Sequence, residues 1–368
     1  MTLAETCGQM ILGGFAGTSL PSSYARALAA GERAGAILFR RNVTQDVLAV
    51  SELTASIRAA ASPNATGSPI VAVDQEGGRV ARLGPPVLTL PPAARLGATL
   101  NEAFVERVAE AQGSELMALG FTTSFAPVLD IHTHPDNPVI GDRAFGRTPE
   151  TVTAMALAFA RGLQKAGLFA CGKHYPGHGD TEKDSHFDRP TVHGDRARLE
   201  RVELAPFAAA ARAGIAALMT AHVVYPALDD KPATLSKVIC TDILRNQLGF
   251  RGALLSDDLE MKAVAALAPI DALAVDAVEA GCDLLLICAN EEAQARAHEA
   301  LVRRAEARST FRLRCEEAQA RVAVLRALPM RPEREREKLV QIVGGEKSRG
   351  VRNELEELAE LAARGQTS

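Results

Sequence analysis

A short apolar run leads directly into a polar, glycine-rich cluster at Gly167-Leu168-Phe169-Ala170-Cys171-Gly172-Lys173-His174-Tyr175-Pro176-Gly177-His178. The run has the length of a buried β-strand, and the residues after it carry charge and imidazole groups. A buried strand that ends in glycine, proline and charged residues is where α/β proteins place their reactive groups. A chain that repeats this unit would therefore build an α/β enzyme scaffold.

The same unit recurs along the chain. The apolar runs that end in polar or glycine-rich residues cover residues 9–15, 36–39, 70–73, 124–129, 167–171, 216–220, 253–256 and 283–288. Between them, residues 100–119, 149–166, 199–213 and 271–281 carry apolar side chains at three- and four-residue spacing, which predicts helices. The sequence thus alternates short strands with helices.

This alternation indicates the fold class. Strands that are apolar throughout and alternate with helices predict a parallel sheet covered on both sides, and eight of them suffice for a closed barrel. A doubly wound open sheet is the alternative, but the early pair Gly13-Gly14 lacks the remaining spacing of its phosphate turn. We predict an α/β fold of the (β/α)8 TIM barrel class, with one barrel domain over residues 1–330 and a charged helical extension over residues 331–368.

Composition limits the classes of partner. The 368 residues are 47% hydrophobic and 23% charged, which is ordinary for a soluble globular protein. A net charge of −4 supplies no basic field for nucleic acid and no polybasic membrane anchor. The amino terminus resembles no signal peptide, and the six cysteines are scattered. We expect a cytoplasmic protein that binds neither nucleic acid nor membrane.

The tail after residue 330 combines a charged segment, residues 333–338, with a leucine stripe that includes Leu355 and Leu358. One interpretation is an extra helical hairpin that packs on the barrel or is partly mobile. The other is a dimer contact through the leucine stripe. We expect a monomer or a weak dimer.

Polar residues follow nearly every predicted strand. In a parallel barrel the carboxyl ends of the strands meet on one face, so distant positions come together. The positions that can meet there are 74, 130, 143, 173, 186, 222 and 257. This convergence predicts an active site.

A metal site is one interpretation of the histidine-rich stretch. Its candidate ligands would be His174, His178, Asp180, Asp184 and His186. The spacing argues against it, because His174 and His178 would need a helix to share a face and the prolines and glycines between and beside them disfavour one. We expect neither a metal nor an organic cofactor.

The second interpretation is a glycosidase loop, and here the residues resemble a known family. The resemblance to family 3 glycoside hydrolases, specifically to their single-domain bacterial β-N-acetylglucosaminidases of peptidoglycan recycling, covers most of the chain. The motifs that carry it are Ile37-Leu38-Phe39-Arg40-Arg41-Asn42, Val73-Asp74-Gln75-Glu76-Gly77-Gly78-Arg79-Val80-Ala81-Arg82, Ala126-Pro127-Val128-Leu129-Asp130, Ile140-Gly141-Asp142-Arg143-Ala144-Phe145-Gly146, Lys173-His174-Tyr175-Pro176-Gly177-His178-Gly179, Asp184-Ser185-His186, Met219-Thr220-Ala221-His222 and Leu255-Ser256-Asp257-Asp258-Leu259.

The resemblance implies the catalytic groups. Asp257 would be the nucleophile of a retaining mechanism, and Asp258 the cap of the following turn, although Asp257 alone could also serve as a cap. His186 would be the general acid/base, with Asp184 as its partner, because histidine can donate and accept protons near neutral pH. An exposed loop histidine is the alternative for His186.

The resemblance also implies the groups that bind the sugar. Asp74 would accept hydrogen bonds from hydroxyls, whereas the donors would be Arg82, Arg143, Lys173 and His174. Arg79 is left as a structural residue, and inter-loop salt bridges are the alternative role for the whole set. Glu76, Asp130 and His222 are expected to support these residues.

The absence of tryptophan favours a pocket for one terminal sugar over a long cleft with aromatic platforms. That pocket favours exo action. The resemblance implies the rest of the expectation, a retaining β-N-acetylglucosaminidase that acts on small N-acetylglucosamine-containing (anhydro)muropeptides. The alternatives are a phosphorylase on the same fold, a metal-dependent amidohydrolase and, more remotely, a sugar sensor without catalysis.

Overall fold

Eight parallel strands close into a barrel in the computed structural model, which describes residues 1–62, 67–181, 190–327 and 336–365. Numbered along the chain together with two small hairpins, the strands are β1 (Ile11–Gly13), β2 (Gly35–Leu38), β3 (Ile70–Val73), β4 (Gln75–Gly77), β5 (Val80–Ala81), β6 (Thr123–Ser124), β7 (Phe169–Tyr175), β8 (Ala217–Thr220), β9 (Val224–Tyr225), β10 (Asp229–Pro232), β11 (Ala253–Asp258) and β12 (Leu284–Ile287). Around the barrel the order is β1-β12-β11-β8-β7-β6-β3-β2, and β2 pairs with β1 to close it. This closed ring excludes the open doubly wound sheet.

The alternation of side chains explains why the strands are apolar throughout. On β3, Ile70 and Ala72 pack in one apolar cluster, whereas Val71 and Val73 pack in another. Successive residues of a strand face opposite sides of the sheet, so one set fills the barrel interior and the other meets the surrounding helices. All four side chains are buried.

Helices cover the outside of the barrel. They are α1 (Leu3–Gly8), α2 (Ser22–Ala29), α3 (Val47–Ala59), α4 (Ala93–Gly97), α5 (Glu102–Ala118), α6 (Pro149–Ala166), α7 (Arg196–Arg201), α8 (Ala205–Arg212), α9 (Lys262–Ala265), α10 (Ile270–Ala280), α11 (Glu291–Ala307), α12 (Ser309–Leu325), α13 (Arg336–Ile342) and α14 (Glu346–Gly365). Two 3₁₀ turns, Gly141–Arg143 and Ala233–Leu235, and a π-helix, Val238–Gln247, complete the regular structure.

The residues at the two ends of α6, the helix before β7, determine where that helix begins and ends. The Thr148 side chain accepts from the backbone N–H of Thr151, and Pro149 occupies the first turn of α6. Gly167 ends α6 with φ 95°, in the left-handed region that glycine adopts without a steric penalty. The chain therefore turns directly into β7.

The predicted barrel is confirmed, but two elements differ from the sequence-based expectation. The run at residues 124–129 contributes only its first residue to β6, because Pro127 has no N–H for a ladder hydrogen bond. The predicted helix over residues 199–213 is divided into α7 and α8, with Pro206 in the first turn of α8. The two hairpins, β4–β5 and β9–β10, were not predicted.

The C-terminal helices α13 and α14 pack on the barrel helices α3 and α5. Leu339, Val343 and Val351 are buried in this contact. The structure thus agrees with the packed-hairpin interpretation of the tail. In the described ranges, no helix combines the length and the apolarity that a membrane crossing requires.

Candidate active site

A cavity of about 330 Å³ opens where the carboxyl ends of the barrel strands meet. Residues that end or follow β2, β3, β6, β7, β8, β11 and β12 line it, among them Phe39, Asp74, Phe125, Lys173, His174, Met219, Asp257, Asp258 and Cys288. Arg82, which follows the β4–β5 hairpin, and Arg143, from a 3₁₀ turn, complete one wall. The predicted convergence at this face is therefore present for Asp74, Arg82, Arg143, Lys173, His174 and Asp257.

Asp74 lies between two cations. Lys173 Nζ is 2.8 Å from Asp74 Oδ1, and Arg82 Nη2 is 3.0 Å from Asp74 Oδ2. Burial alone would raise the pKa of Asp74, but the charges of Lys173 and Arg82 outweigh it and lower the pKa to about 2. Asp74 is thus a fixed carboxylate whose acceptor geometry is set before a ligand arrives.

Glu76 forms the second half of this network. Arg143 binds it with two hydrogen bonds of 2.8 Å, from Nε to Oε2 and from Nη2 to Oε1. Lys173 Nζ lies 2.6 Å from Glu76 Oε1, so this buried ammonium bridges Asp74 and Glu76. Burial opposes the charge of Lys173, but the two carboxylates raise its pKa overall. The network holds three cations with two anions, which leaves donor capacity for an uncharged polyol.

His174 is oriented by a fully buried carboxylate. Asp130 Oδ2 is 2.7 Å from His174 Nδ1, and Asp130 Oδ1 accepts from the backbone N–H of His178 at 2.7 Å. Because a carboxylate only accepts, this contact places a proton on Nδ1, and Nε2 lies 3.5 Å from Arg143 Nη2. Burial would raise the pKa of Asp130, but His174 lowers it.

The two consecutive aspartates at the end of β11 differ in environment. Asp257 Oδ1 accepts from the backbone N–H of Asp258 at 2.8 Å, and within the described ranges Asp257 forms no ion pair. Asp258 Oδ1 instead accepts from the backbone N–H groups of Glu260 and Cys288, at 3.1 and 3.2 Å. Burial, with the charges of Glu260 and Asp257, raises the pKa of Asp258 to about 6. Asp258 caps the turn, and Asp257 lies at the cavity without a cationic partner among the described residues.

Two further histidines at the site, His222 and His178, are uncharged. His222 is buried between Thr234 Oγ1, 2.7 Å from Nδ1, and the carbonyl of Asp258, 2.9 Å from Nε2, and burial lowers its pKa. His178 contacts Thr181 Oγ1 through Nδ1 at 3.0 Å. Burial and the neighbouring His174 lower the pKa of His178 to about 4. Both rings are therefore neutral near pH 7.

Other predicted residues lie away from the cavity or outside the described ranges. Arg79 is half exposed, 3.4 Å from Asp142, and donates to backbone carbonyls of residues 138–140. Asp184 and His186 fall within residues 182–189, which lie outside the described residues. In the part of the chain that the structure describes, no three His, Cys, Asp or Glu residues cluster as a metal site would require.

Phe39 is a cavity residue that sequence reasoning did not select. Two guanidinium groups lie over its ring, with Arg41 Cζ at 4.5 Å and Arg82 Cζ at 5.7 Å from the ring centroid. Such contacts restrict the arginines through cation–π attraction. Its position as the last residue of the apolar run at 36–39 was the available signal.

The family profile described as "Glycosyl hydrolase family 3 N terminal domain" matches residues 2–325. The chain belongs to glycosyl hydrolase family 3. Beta-hexosaminidases of Neisseria meningitidis serogroup C (strain 053442) and Chromobacterium violaceum are each 44% identical to it. The first match covers 69% of this chain and 71% of the relative, and the second 70% and 72%.

Solved structures lead to the same family. A family 3 β-N-acetylglucosaminidase from Paenibacillus sp. has a TM-score of 0.84 and 37% identity, over 93% of this chain and 68% of that one. A β-N-acetylhexosaminidase from Beutenbergia cavernae has a TM-score of 0.82 and 32% identity, over 89% and 99%. This family 3 member is a glycoside hydrolase of the β-N-acetylhexosaminidase type.

Proposed function

We propose that this family 3 enzyme removes terminal non-reducing N-acetylglucosamine with retention of configuration, and that Asp257 is its nucleophile. One observation carries the proposal. Asp74 and Glu76 are neutralised by cations and Asp258 is held by backbone N–H groups, whereas Asp257 faces the cavity without a cation in the described ranges. An uncompensated carboxylate has the lone pair and the charge that attack on an anomeric carbon requires.

The reaction would proceed in two displacements. A carboxylate oxygen of Asp257 forms a bond to the anomeric carbon while the bond from that carbon to the leaving oxygen breaks, which gives a covalent glycosyl-enzyme. Water then attacks the same carbon and releases Asp257. Two inversions give net retention.

Proton transfer is assigned to His186 with Asp184 as its partner. His186 would give its proton to the leaving oxygen in the first step and take one from the attacking water in the second. Histidine suits both roles because its usual pKa lies near neutrality, and a carboxylate partner stabilises the protonated ring. Support for this pair comes from the sequence resemblance.

The cavity wall would bind the terminal sugar. Asp74 accepts from hydroxyls, and Arg82, Arg143, Lys173 and His174 form the polar surround that orients the ring. Because Lys173 and Arg143 already hold carboxylates, little reorganisation is needed on binding. A volume of about 330 Å³ suits one sugar unit, in keeping with exo action.

The aglycone follows from the resemblance and is the finer part of the proposal. We assign peptidoglycan-derived (anhydro)muropeptides as substrates, with the reaction in the cytoplasm. The division into a catalytic domain over residues 1–330 and an extension over residues 331–368 is part of the same proposal. The family profile, which ends at residue 325, supports the division.

Turnover of a chromogenic β-N-acetylglucosaminide tests the mechanism. Asp257→Ala should lose nearly all activity, and His186→Ala should lose roughly 10²–10⁴-fold. Arg79→Ala is the matched control, because Arg79 is half exposed and pairs with Asp142, and it should keep wild-type activity. Full activity in Asp257→Ala would exclude the nucleophile assignment.

The products decide between hydrolysis and phosphorolysis. With an anhydro-muropeptide as substrate, free N-acetylglucosamine should form at the same rate with and without phosphate. The β-anomer should appear first in a proton NMR time course. Sugar 1-phosphate as the main product would instead identify a phosphorylase.

A further inference from the structure

The segment that packs on α3 and α5 lies beyond the family domain. The family profile ends at residue 325, and helices α13 and α14 follow at Arg336–Ile342 and Glu346–Gly365. Their contact with the barrel is substantial, because Leu339, Val343 and Val351 are each at most 5% exposed. The C-terminal extension is therefore packed as part of the folded enzyme.

The buried carboxylate of Glu115 connects the extension to the barrel domain. Glu115, near the end of α5, is 1% exposed. Its Oε1 accepts from the backbone N–H of Gly344, in the turn between α13 and α14, at 2.8 Å. Its Oε2 accepts from the backbone N–H of Leu88 at 2.5 Å. In the described part of the chain Glu115 has no cationic partner, so these two N–H groups carry its compensation.

The segment that contains Leu88, residues 83–92, supports the β4–β5 hairpin. The backbone N–H of Gly78 donates to the carbonyl of Leu90 at 2.9 Å. The fully buried Gln75 accepts through Oε1 from the backbone N–H groups of Arg82 and Leu83, at 2.9 and 3.0 Å, and donates back to the Leu83 carbonyl at 3.0 Å. The hairpin that precedes Arg82 is therefore bonded to this segment near both ends of the segment, at Leu83 and at Leu90.

Contact between the extension and the segment is also direct. Gly344 has φ 67°, and a Cβ built on it would lie 3.2 Å from the carbonyl oxygen of Pro86. The turn thus sits against the segment at the point where Glu115 reaches both. Glu115 thus joins Gly344 to Leu88 by hydrogen bonds, and two residues further along the backbone Leu90 accepts from Gly78 of the hairpin that precedes Arg82.

We propose that Glu115 is a positioning residue, through which the C-terminal extension holds residues 83–92 and thereby Arg82 in the sugar-binding geometry. The inference rests on the proposed role of Arg82 in binding the sugar. A displaced Arg82 would also lose its 3.0 Å contact with Asp74, so substrate affinity should respond more than the chemical step at Asp257.

Two substitutions approach the link from opposite sides. Glu115→Gln keeps the shape but replaces one acceptor by an N–H₂ group, so one backbone N–H loses its partner. Leu339→Ala leaves Glu115 intact and loosens α13 from the barrel. Both should accelerate hydrogen–deuterium exchange in residues 75–92, with residues 253–280 as an unchanged reference. Both should raise KM for the chromogenic substrate by roughly three- to tenfold at nearly constant kcat.

Glu110→Gln is the matched control. Glu110 lies on the same helix and contacts the same extension, through Lys347 Nζ at 2.6 Å, but it has no hydrogen bond to residues 83–92. It should leave both exchange and KM at wild-type values. Unchanged exchange of residues 75–92 in Glu115→Gln would overturn the inference, as would an equal effect of Glu110→Gln. An effect of Glu115→Gln without one of Leu339→Ala would exclude the role of the extension. Exchange needs no substrate, so an enzyme inactive on the glucosaminide would contradict the proposed function alone.

Discussion

Asp257 and Asp258 have the same side chain but different electrostatic surroundings. The backbone N–H groups of Glu260 and Cys288 face Asp258, while burial raises its pKa to about 6. Asp257 receives one backbone N–H and faces the cavity. A consecutive pair on one strand end points in different directions, since successive side chains of a strand alternate.

This difference predicts opposite outcomes for matched substitutions. Asp257→Asn should abolish turnover, because an amide oxygen is a poor nucleophile. Asp258→Asn keeps the acceptor that Glu260 and Cys288 use, so it should retain activity within about tenfold. The free energy of unfolding of Asp258→Asn at pH 7.5 should be equal to that of the wild type or higher by up to about 1 kcal/mol, because the substitution removes a partly buried charge with a raised pKa. Steady-state kinetics and denaturant unfolding measure the two effects. Loss of activity in both variants would contradict the division of roles.

His178 predicts a pH dependence of stability. Its pKa is about 4 in the fold, below its usual 6.5, so the unfolded chain binds more protons between these values. The free energy of unfolding therefore has its full value, as far as His178 affects it, above about pH 6.5, and it falls as the pH drops toward 4. His178→Gln should therefore reduce the loss of unfolding free energy between pH 7 and pH 5 by roughly 1–2 kcal/mol. Urea unfolding at both pH values measures this, and an unchanged slope would contradict it.

The sequence predicted which residues line the site better than it predicted the contacts that these residues make with one another. Asp74, Lys173 and Asp257 follow apolar runs, so barrel topology alone brings them together. The bidentate contact of Glu76 with Arg143 was not predictable, because its partners lie far apart in the sequence and the β4–β5 hairpin was missed. Asp184 and His186 stay a prediction.

At the scale of elements, the end of β7 sets the entry to the predicted catalytic loop. Gly179 lies so close to the preceding barrel segment that a Cβ on it would be 1.6 Å from the Ile131 carbonyl oxygen. Its own carbonyl accepts from the backbone N–H of His134 at 3.2 Å. The glycine is thus required by close backbone approach, a few residues before Asp184 and His186.

Gly179→Ala should therefore disturb both the fold and the reaction. The added methyl forces the backbone apart, which should cost about 1–3 kcal/mol of unfolding free energy. Activity on the chromogenic substrate should fall more than this loss explains, because the segment with the acid/base pair is displaced. Gly84→Ala is the control: a Cβ there meets nothing within 4 Å, so stability should be unchanged or slightly higher. Equal activity in the two variants would contradict the prediction.

The elements themselves were predictable where burial and period agree. The run at residues 70–73 is β3 in full, and residues 149–166 are α6 in full. The predictions failed where a proline interrupts the apolar pattern. Pro127 lies just after the short β6, and Pro206 lies in the first turn of α8, shortly after α7 ends. The hairpin β4–β5 has polar residues and glycine, so no apolar pattern reveals it.

At the scale of the whole molecule, the barrel separates stability from catalysis. Asp283 precedes β12, at the end of the barrel opposite the cavity. It is fully buried and accepts from three guanidinium groups, Arg245 at 2.5 Å, Arg314 at 2.7 Å and Arg321 at 3.1 Å. It also accepts from the backbone N–H of Leu254, next to β12 in the barrel, at 2.9 Å. One carboxylate thus links the barrel wall to the π-helix and α12.

Asp283→Ala should therefore destabilise the molecule without altering its chemistry. Removal of the carboxylate takes the carboxylate partner from Arg245 and Arg314 and leaves Arg321, among the described residues, only its 3.9 Å contact with Glu317, which should lower the unfolding free energy by about 3–5 kcal/mol. The protein that remains folded should keep the wild-type KM and kcat, because the cavity lies at the other end of the strands. Asp271→Ala, which removes the partner of the exposed Arg296, should change stability by less than about 1 kcal/mol. Thermal unfolding measures the stability, and steady-state kinetics measured about 20 degrees below the unfolding transition of the variant give KM and kcat. A changed KM in Asp283→Ala would show that the two ends of the barrel are coupled.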